Sequence, residues 1–191
     1  MENGSSTFKK AAAITAVTAG LAAGAGAALW LAKGRPGVRR PVEDIENGVA
    51  YSVPQWWKDV DPADLSEGYT SAARSKKDGE SGAAVFAFGG DSIEGGLEET
   101  TTETAMARAE YFRPFAETTV LESEPFGENG HRVAWESVSE EGRTYGVLVQ
   151  LRTEKRPAFV LGMAHDGGRL ARKLVDATVA TAALTEETVE D

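Results

Sequence analysis

The sequence predicts an α+β domain, an antiparallel sheet with helices packed on it in an α/β/α-type sandwich, preceded by one transmembrane-like helix. Three observations carry the prediction. Four strand-like runs follow one another from Glu117 to Ala164 with only short polar turns between them. Helix-like segments flank that block, one around Ala105 to Phe112 and one around Leu170 to Ala182. An uncharged stretch, Ala11 to Ala32, lies between Lys9-Lys10 and Lys33.

Residues 1–10 read as a short tail. As a helix, Ala11 to Ala32 spans about 33 Å, enough to cross a bilayer core. Ile14, Val17, Leu21, Leu29, Trp30 and Leu31 supply most of its hydrophobicity, and Trp30 falls where indole sits among headgroups. An uncleaved anchor competes with a cleaved signal sequence, for which Ala25-Gly26-Ala27 is a small-x-small site. The apolar run continues past that site through Leu29-Trp30-Leu31, which favours the anchor. A buried helix of a soluble domain is disfavoured, because no polar face exists to meet water. Two lysines precede the span and four Lys/Arg follow it, a margin that leaves both orientations open. Gly20-x-x-x-Gly24, in step with Ala16 and Ala28, permits self-association through the anchor, although an alanine-rich run produces such spacing by composition alone. Residues 33–44 read as a basic linker broken by Gly34, Pro36, Gly37 and Pro41. Lys33, Arg35, Arg39 and Arg40 are its candidate membrane-surface contacts.

Charge is unevenly divided. Residues 1–40 hold six Lys/Arg and one acid, so a whole-chain charge of −10 leaves −15 on residues 41–191. That balance repels a phosphate backbone and argues against nucleic acid as a partner. The chain contains no cysteine, which excludes disulfides, thiolate nucleophiles, thiolate metal sites and a lipid-modified cysteine.

The remaining 45–185 read as one domain, with residues 186–191 an acidic tail. Val49 to Val53 is a first strand stopped by Pro54, and Gln55-Trp56-Trp57 follows it. Asp61 caps a short helix with Pro62 in its first turn, ended by Gly68. Tyr69 to Ser75 and Ala83 to Phe88 form a hairpin about Asp78-Gly79. Thr100 and Glu103 fit a capping box for a helix whose apolar side is Ala105, Met106, Ala109 and Phe112, and Pro114 ends it. Glu117 to Glu124, His131 to Val138, Arg143 to Arg152 and Pro157 to Ala164 then form a meander. In the third run Tyr145, Val147, Val149 and Leu151 alternate with Thr144, Gly146, Gln150 and Arg152, the period of a strand with one buried face. Asp166 caps a last helix carrying a stripe of Leu170, Leu174, Val175, Thr178 and Ala182.

This order of elements resembles the PsbP-like fold, and within it the LpqN-type lipoproteins of actinobacteria. The features that carry the resemblance are Tyr51-Ser52-Val53-Pro54 leading to Trp56-Trp57, the Ala83 to Phe88 strand, the Ala105 to Phe112 helix, Tyr145-Gly146-Val147, and Leu174 to Ala183 closing the chain. The resemblance covers about residues 45–185 and is a pattern of elements without a signature motif. It implies a binding or accessory module, often exported, without a catalytic set. The lipid-acceptor cysteine of that family is absent, so the Ala11 to Ala32 span has to stand in for it.

The side chains offer little chemistry. His131 and His165 are the only histidines, and no Gly-x-Ser-x-Gly elbow accompanies them. Asp91, Glu94, Glu98 and Glu99 crowd a glycine-bearing loop without the alternate-residue calcium pattern. Gly127, Gly130, Gly167 and Gly168 lack the setting of a phosphate cradle and read as turn residues. No cofactor is implied. Trp56 and Trp57 are the candidate partner contacts: in an extended run consecutive side chains point apart, so one enters the core while the other faces out. Packing of both in the core is the competing reading.

Three functions follow. The first is a membrane-tethered, non-catalytic binding or accessory domain, held to the bilayer by residues 11–32 and meeting an unknown protein or small-molecule partner. The second is an exported soluble domain binding an apolar small molecule or lipid between sheet and helix. The third, a hydrolytic enzyme, requires His131 or His165 within hydrogen-bond reach of a serine or a metal.

Overall fold

Short turns and alternating side chains leave antiparallel pairing as the least costly arrangement for residues 117–165, and the chain adopts it. The computed structural model describes residues 38–66, 68–75, 82–90, 95–152, 156–166 and 168–185. In order the elements are β1 (Arg39–Asp44), β2 (Val49–Pro54), β3 (Lys58–Asp59), a 3-10 turn (Pro62–Asp64), β4 (Ser71–Arg74), β5 (Ala83–Gly89), α1 (Leu97–Phe112), β6 (Glu117–Phe126), β7 (Gly130–Ser139), β8 (Gly142–Arg152), β9 (Pro157–His165), α2 (Arg169–Val179) and β10 (Ala183–Leu184). A seven-stranded sheet runs β3-β4-β5-β9-β8-β7-β6, and a three-stranded sheet runs β1-β2-β10, with every pair antiparallel. The predicted meander, the β4–β5 hairpin and the Asp61 cap are all present; Asp61 Oδ1 accepts from Ala63 N at 2.9 Å.

Two cores lie on opposite faces of the large sheet. On one face α1 covers Val133, Trp135, Leu148, Phe159, Leu161 and Met163 with Ala105, Ala109 and Phe112. On the other, α2 and the small sheet cover Val85, Val147, Val149 and Val160 with Val175, Val179, Tyr51 and Val53. Small residues let these layers close. A Cβ on Gly162 of β9 would lie 2.4 Å from Val175 Cγ1 and 2.8 Å from Val179 Cγ2, so glycine there sets how near α2 rides. Gly146 of β8 gives the same room to the Trp135 ring, whose atoms come within 2.3 Å of the position a Cβ would take.

The expectation of one buried face on β8 is corrected: Thr144 through Leu151 are all buried. Its polar side is covered because α1 brings polar partners to it. Thr100 and Thr101 donate to Gln150 Oε1 at 3.0 and 2.8 Å, and Arg113 Nε donates to Thr144 Oγ1 at 3.0 Å. A buried polar group is tolerated when it is hydrogen-bonded, so this strand face needs no water.

Four boundaries also change. The predicted linker 33–44 ends in a strand, since β1 pairs with β2 along its whole length from Arg39↔Pro54 to Asp44↔Val49. Pro41 fits there because β1 is an edge strand. Thr100 is not a cap: α1 begins after Gly96, and the Thr100 hydroxyl turns back to Gly96 O at 3.0 Å. Asp166 does not cap α2, which follows Gly168; its Oδ1 instead accepts from Arg143 N at 2.8 Å. Of the expected stripe Leu174, Val175 and Thr178 meet the core together with Val179, and Ala182 is buried just beyond the helix end, whereas Leu170 is exposed.

The Ala11 to Ala32 span, the linker up to Gly37, the Asp78-Gly79 turn, Asp91, Glu94 and the 186–191 tail lie outside the described residues. Among the described residues no helix is long and apolar enough to cross a membrane.

Candidate functional site

The site singled out by the sequence forms where the chain enters the fold. Pro54 ends β2, and Trp57 N donates to Pro54 O at 2.9 Å, closing a tight turn that carries Gln55 and Trp56 on its outside. Gln55 N donates to Val38 O at 2.8 Å, extending the β1–β2 ladder by one bond and holding Val38 beside the turn. The two tryptophans divide between core and surface, and the turn, not an extended run, parts them. Trp57 is 2% exposed and joins the core of α2 and the small sheet, whereas Trp56 is 43% exposed. Their rings meet edge to face at 6.1 Å, so the buried indole fixes the angle of the outer one. Val38, 73% exposed, adds a second apolar side chain at this end.

The arginines beside them are engaged within the fold. Arg39 donates to Ser52 O at 2.6 Å and to Thr178 Oγ1 at 2.7 Å, bracing β1 against α2; burial lowers its pKa from the usual arginine range. Arg40 donates to Trp57 O at 3.1 Å and pairs with Asp59 at 2.5 Å. Arg39 and Arg40 thus belong to a paired strand and not to a linker. β-pairing turns Arg39 inward, and Arg40 spends its charge on Asp59. Lys33 and Arg35 lie outside the described residues. Val38 could not be placed in this cluster beforehand, because residues 33–44 carry too few apolar side chains to announce a strand.

The histidines are positioned apart from this end. His131 Nε2 lies 2.9 Å from Ser123 Oγ across β6 and β7, so the serine contact required by a hydrolytic reading is present. No carboxylate among the described residues hydrogen-bonds His131 to orient it, and the pair lies along a hairpin ladder. His165 Nδ1 lies 3.1 Å from Thr144 Oγ1. Arg113 donates to that same oxygen, so the threonine links the imidazole to the guanidinium. Burial, and then Arg113, lower the His165 pKa from its ordinary value. Thr144 is 1% exposed, out of reach of a substrate. Among the described residues no group of acids and histidines is arranged to hold a metal.

Space between α1 and the sheet, where an apolar ligand would enter, is occupied by side chains. Tyr69, Phe86, Phe88, Phe112 and Phe159 meet at centroid distances of 4.8 to 6.4 Å, and Arg108 lies over Tyr69 and Phe88 at 4.9 and 4.3 Å.

No family model and no curated protein matches the sequence. Solved structures do match its shape. Cyanobacterial PsbP from Synechocystis superposes with a TM-score of 0.56 at 10% identity, covering 79% of this chain and 96% of that one. The fold is PsbP-like. The Ran-binding protein Mog1p of Saccharomyces cerevisiae gives 0.57 at 10% identity over 80% of this chain and 98% of its own. LpqN of Mycobacterium tuberculosis, involved in cell envelope biogenesis, gives 0.48 at 10% identity over 78% and 91%.

Proposed function

We propose that this chain is a membrane-tethered, non-catalytic domain that works by binding. The observation that carries the reading is Trp56: a large side chain left 43% exposed, oriented by a buried neighbour, at the point where the chain leaves residues 1–37 and enters the fold. Tryptophan so held loses little entropy on meeting a partner, which is why it recurs at binding hot spots. The PsbP-like fold supports the same reading by analogy, since Mog1p on this architecture is a Ran-binding protein. The tether is the Ala11 to Ala32 span, with Lys33 and Arg35 behind it. Binding of an apolar ligand between α1 and the sheet is the less supported alternative, because five aromatic rings fill that space. A hydrolytic role is also less supported: Ser123 and His131 lack the third group that orients a catalytic imidazole.

The test is membrane fractionation of cells expressing the full chain with a carboxyl-terminal tag, followed by added protease. The tagged chain is expected in the membrane fraction after alkaline extraction, and protection in spheroplasts reads the side on which the domain lies. Release into the medium overturns the tether.

A further inference from the structure

Resting on the tethered reading, we infer that the Val38–Trp56 end of the β1–β2 hairpin is a docking face for the headgroup layer of the membrane that holds the chain. Reach is the first argument. Six peptide steps separate Ala32, the last residue of the span, from Val38. Even fully extended they cover no more than about 20 Å. A domain of this size is roughly 35 Å across. The tether is therefore shorter than the body it carries, and the domain cannot turn an arbitrary face to the lipid. Val38 is held at the end of the hairpin by Gln55 N, and Trp56 shares that turn, so both stand at the near side.

Charge is the second argument. The hairpin is polarised along its length. At the Val38 end Arg40 offsets Asp59, Arg39 is turned inward and Lys58 stands exposed, whereas Glu43, Asp44 and Glu46 lie toward the far tip. Residues 41–191 carry −15, so most of this surface is repelled by anionic lipid. The entry end escapes that repulsion, because Arg40 offsets Asp59 and Lys58 adds an exposed cation beside them. Its apolar side chains, Val38 and Trp56, are of the kind that partition to the headgroup level, indole above all. Docking of this end fixes the orientation of the domain and turns β6, at the opposite edge of the seven-stranded sheet from β3, away from the point of attachment.

Because the chain lacks cysteine, single cysteines report position without background. The full chain is reconstituted into phosphatidylcholine–phosphatidylglycerol vesicles, with a polarity-sensitive label at Val38→Cys or at Ile45→Cys. Ile45 is 79% exposed at the far tip of the same hairpin, so neither substitution disturbs the core. Vesicle flotation is read first, then quenching by a lipid-borne quencher. The label at position 38 is expected to be quenched several-fold more than the label at 45, and Trp56→Ala in the Val38→Cys background is expected to reduce that quenching with the melting temperature unchanged. Loss of flotation overturns the tethered reading, and this proposal with it. Flotation with equal or weaker quenching at 38 overturns the docking face alone, including the case in which a protein partner covers Trp56.

Discussion

Replacing Gly162 by alanine tests how closely α2 rides on the large sheet. The added methyl would lie 2.4 Å from Val175 Cγ1, about 1 Å inside the 3.4 Å at which ordinary contact begins, with Val179 Cγ2 at 2.8 Å. Valine branches next to its backbone and cannot swing aside as a long side chain does. The helix itself must therefore retreat. A gap of 0.5–1 Å forfeits roughly a quarter to a half of the dispersion well for the atoms it separates, and overpacked cores lose about 1–3 kcal/mol. Alanine also restricts the unfolded chain, which returns about 0.4–1 kcal/mol. The net expectation is a loss of about 1–2 kcal/mol, measured by urea denaturation of the full chain in detergent. Val175→Ala alone removes two methyls and is expected to cost about 2 kcal/mol. In the double variant the new methyl enters the space that Val175 vacates, so the two losses should fall short of their sum by about 1 kcal/mol. A stable single variant, or strict additivity in the pair, refutes this account of the α2 interface.

Two further outcomes follow from the polar contacts. His165 is held neutral with its pKa below the ordinary 6.5, so the unfolded chain takes up a proton first as pH falls. The stability it contributes is present above pH 6.5 and declines as pH drops toward the folded value; His165→Gln should remove that part of the slope in a pH series of melting temperatures, and an unchanged slope refutes it. Arg132 joins Glu122 and Glu124 of the edge strand β6 to Asp176 of α2, at 2.5, 3.2 and 3.0 Å. Arg132→Gln should cost about 1–3 kcal/mol in the same denaturation assay, the lower part applying because the carboxylates face water, and a neutral effect would show the bridge to be idle.

The uncharged Ala11 to Ala32 run and the Trp56-Trp57 pair are both legible in the linear sequence. A run of 22 uncharged residues is visible without any fold, and two adjacent large aromatics after Pro54 mark a place where one must be covered. The meander from Glu117 to His165 was legible for the same reason: period-two alternation and short turns are local, and local geometry leaves few ways to connect them. What distance along the chain concealed was every contact between layers. Thr144 and Gln150 carry the polar signature of a solvent face, and only the arrival of Arg113, Thr100 and Thr101 more than thirty residues away makes that face interior. Arg39 and Arg40 look like linker cations until pairing with β2 turns one toward Thr178 and the other toward Asp59. The choice between Trp56 and Trp57 likewise belongs to the tertiary structure, because a turn that parts two neighbours is silent about which side the core will occupy.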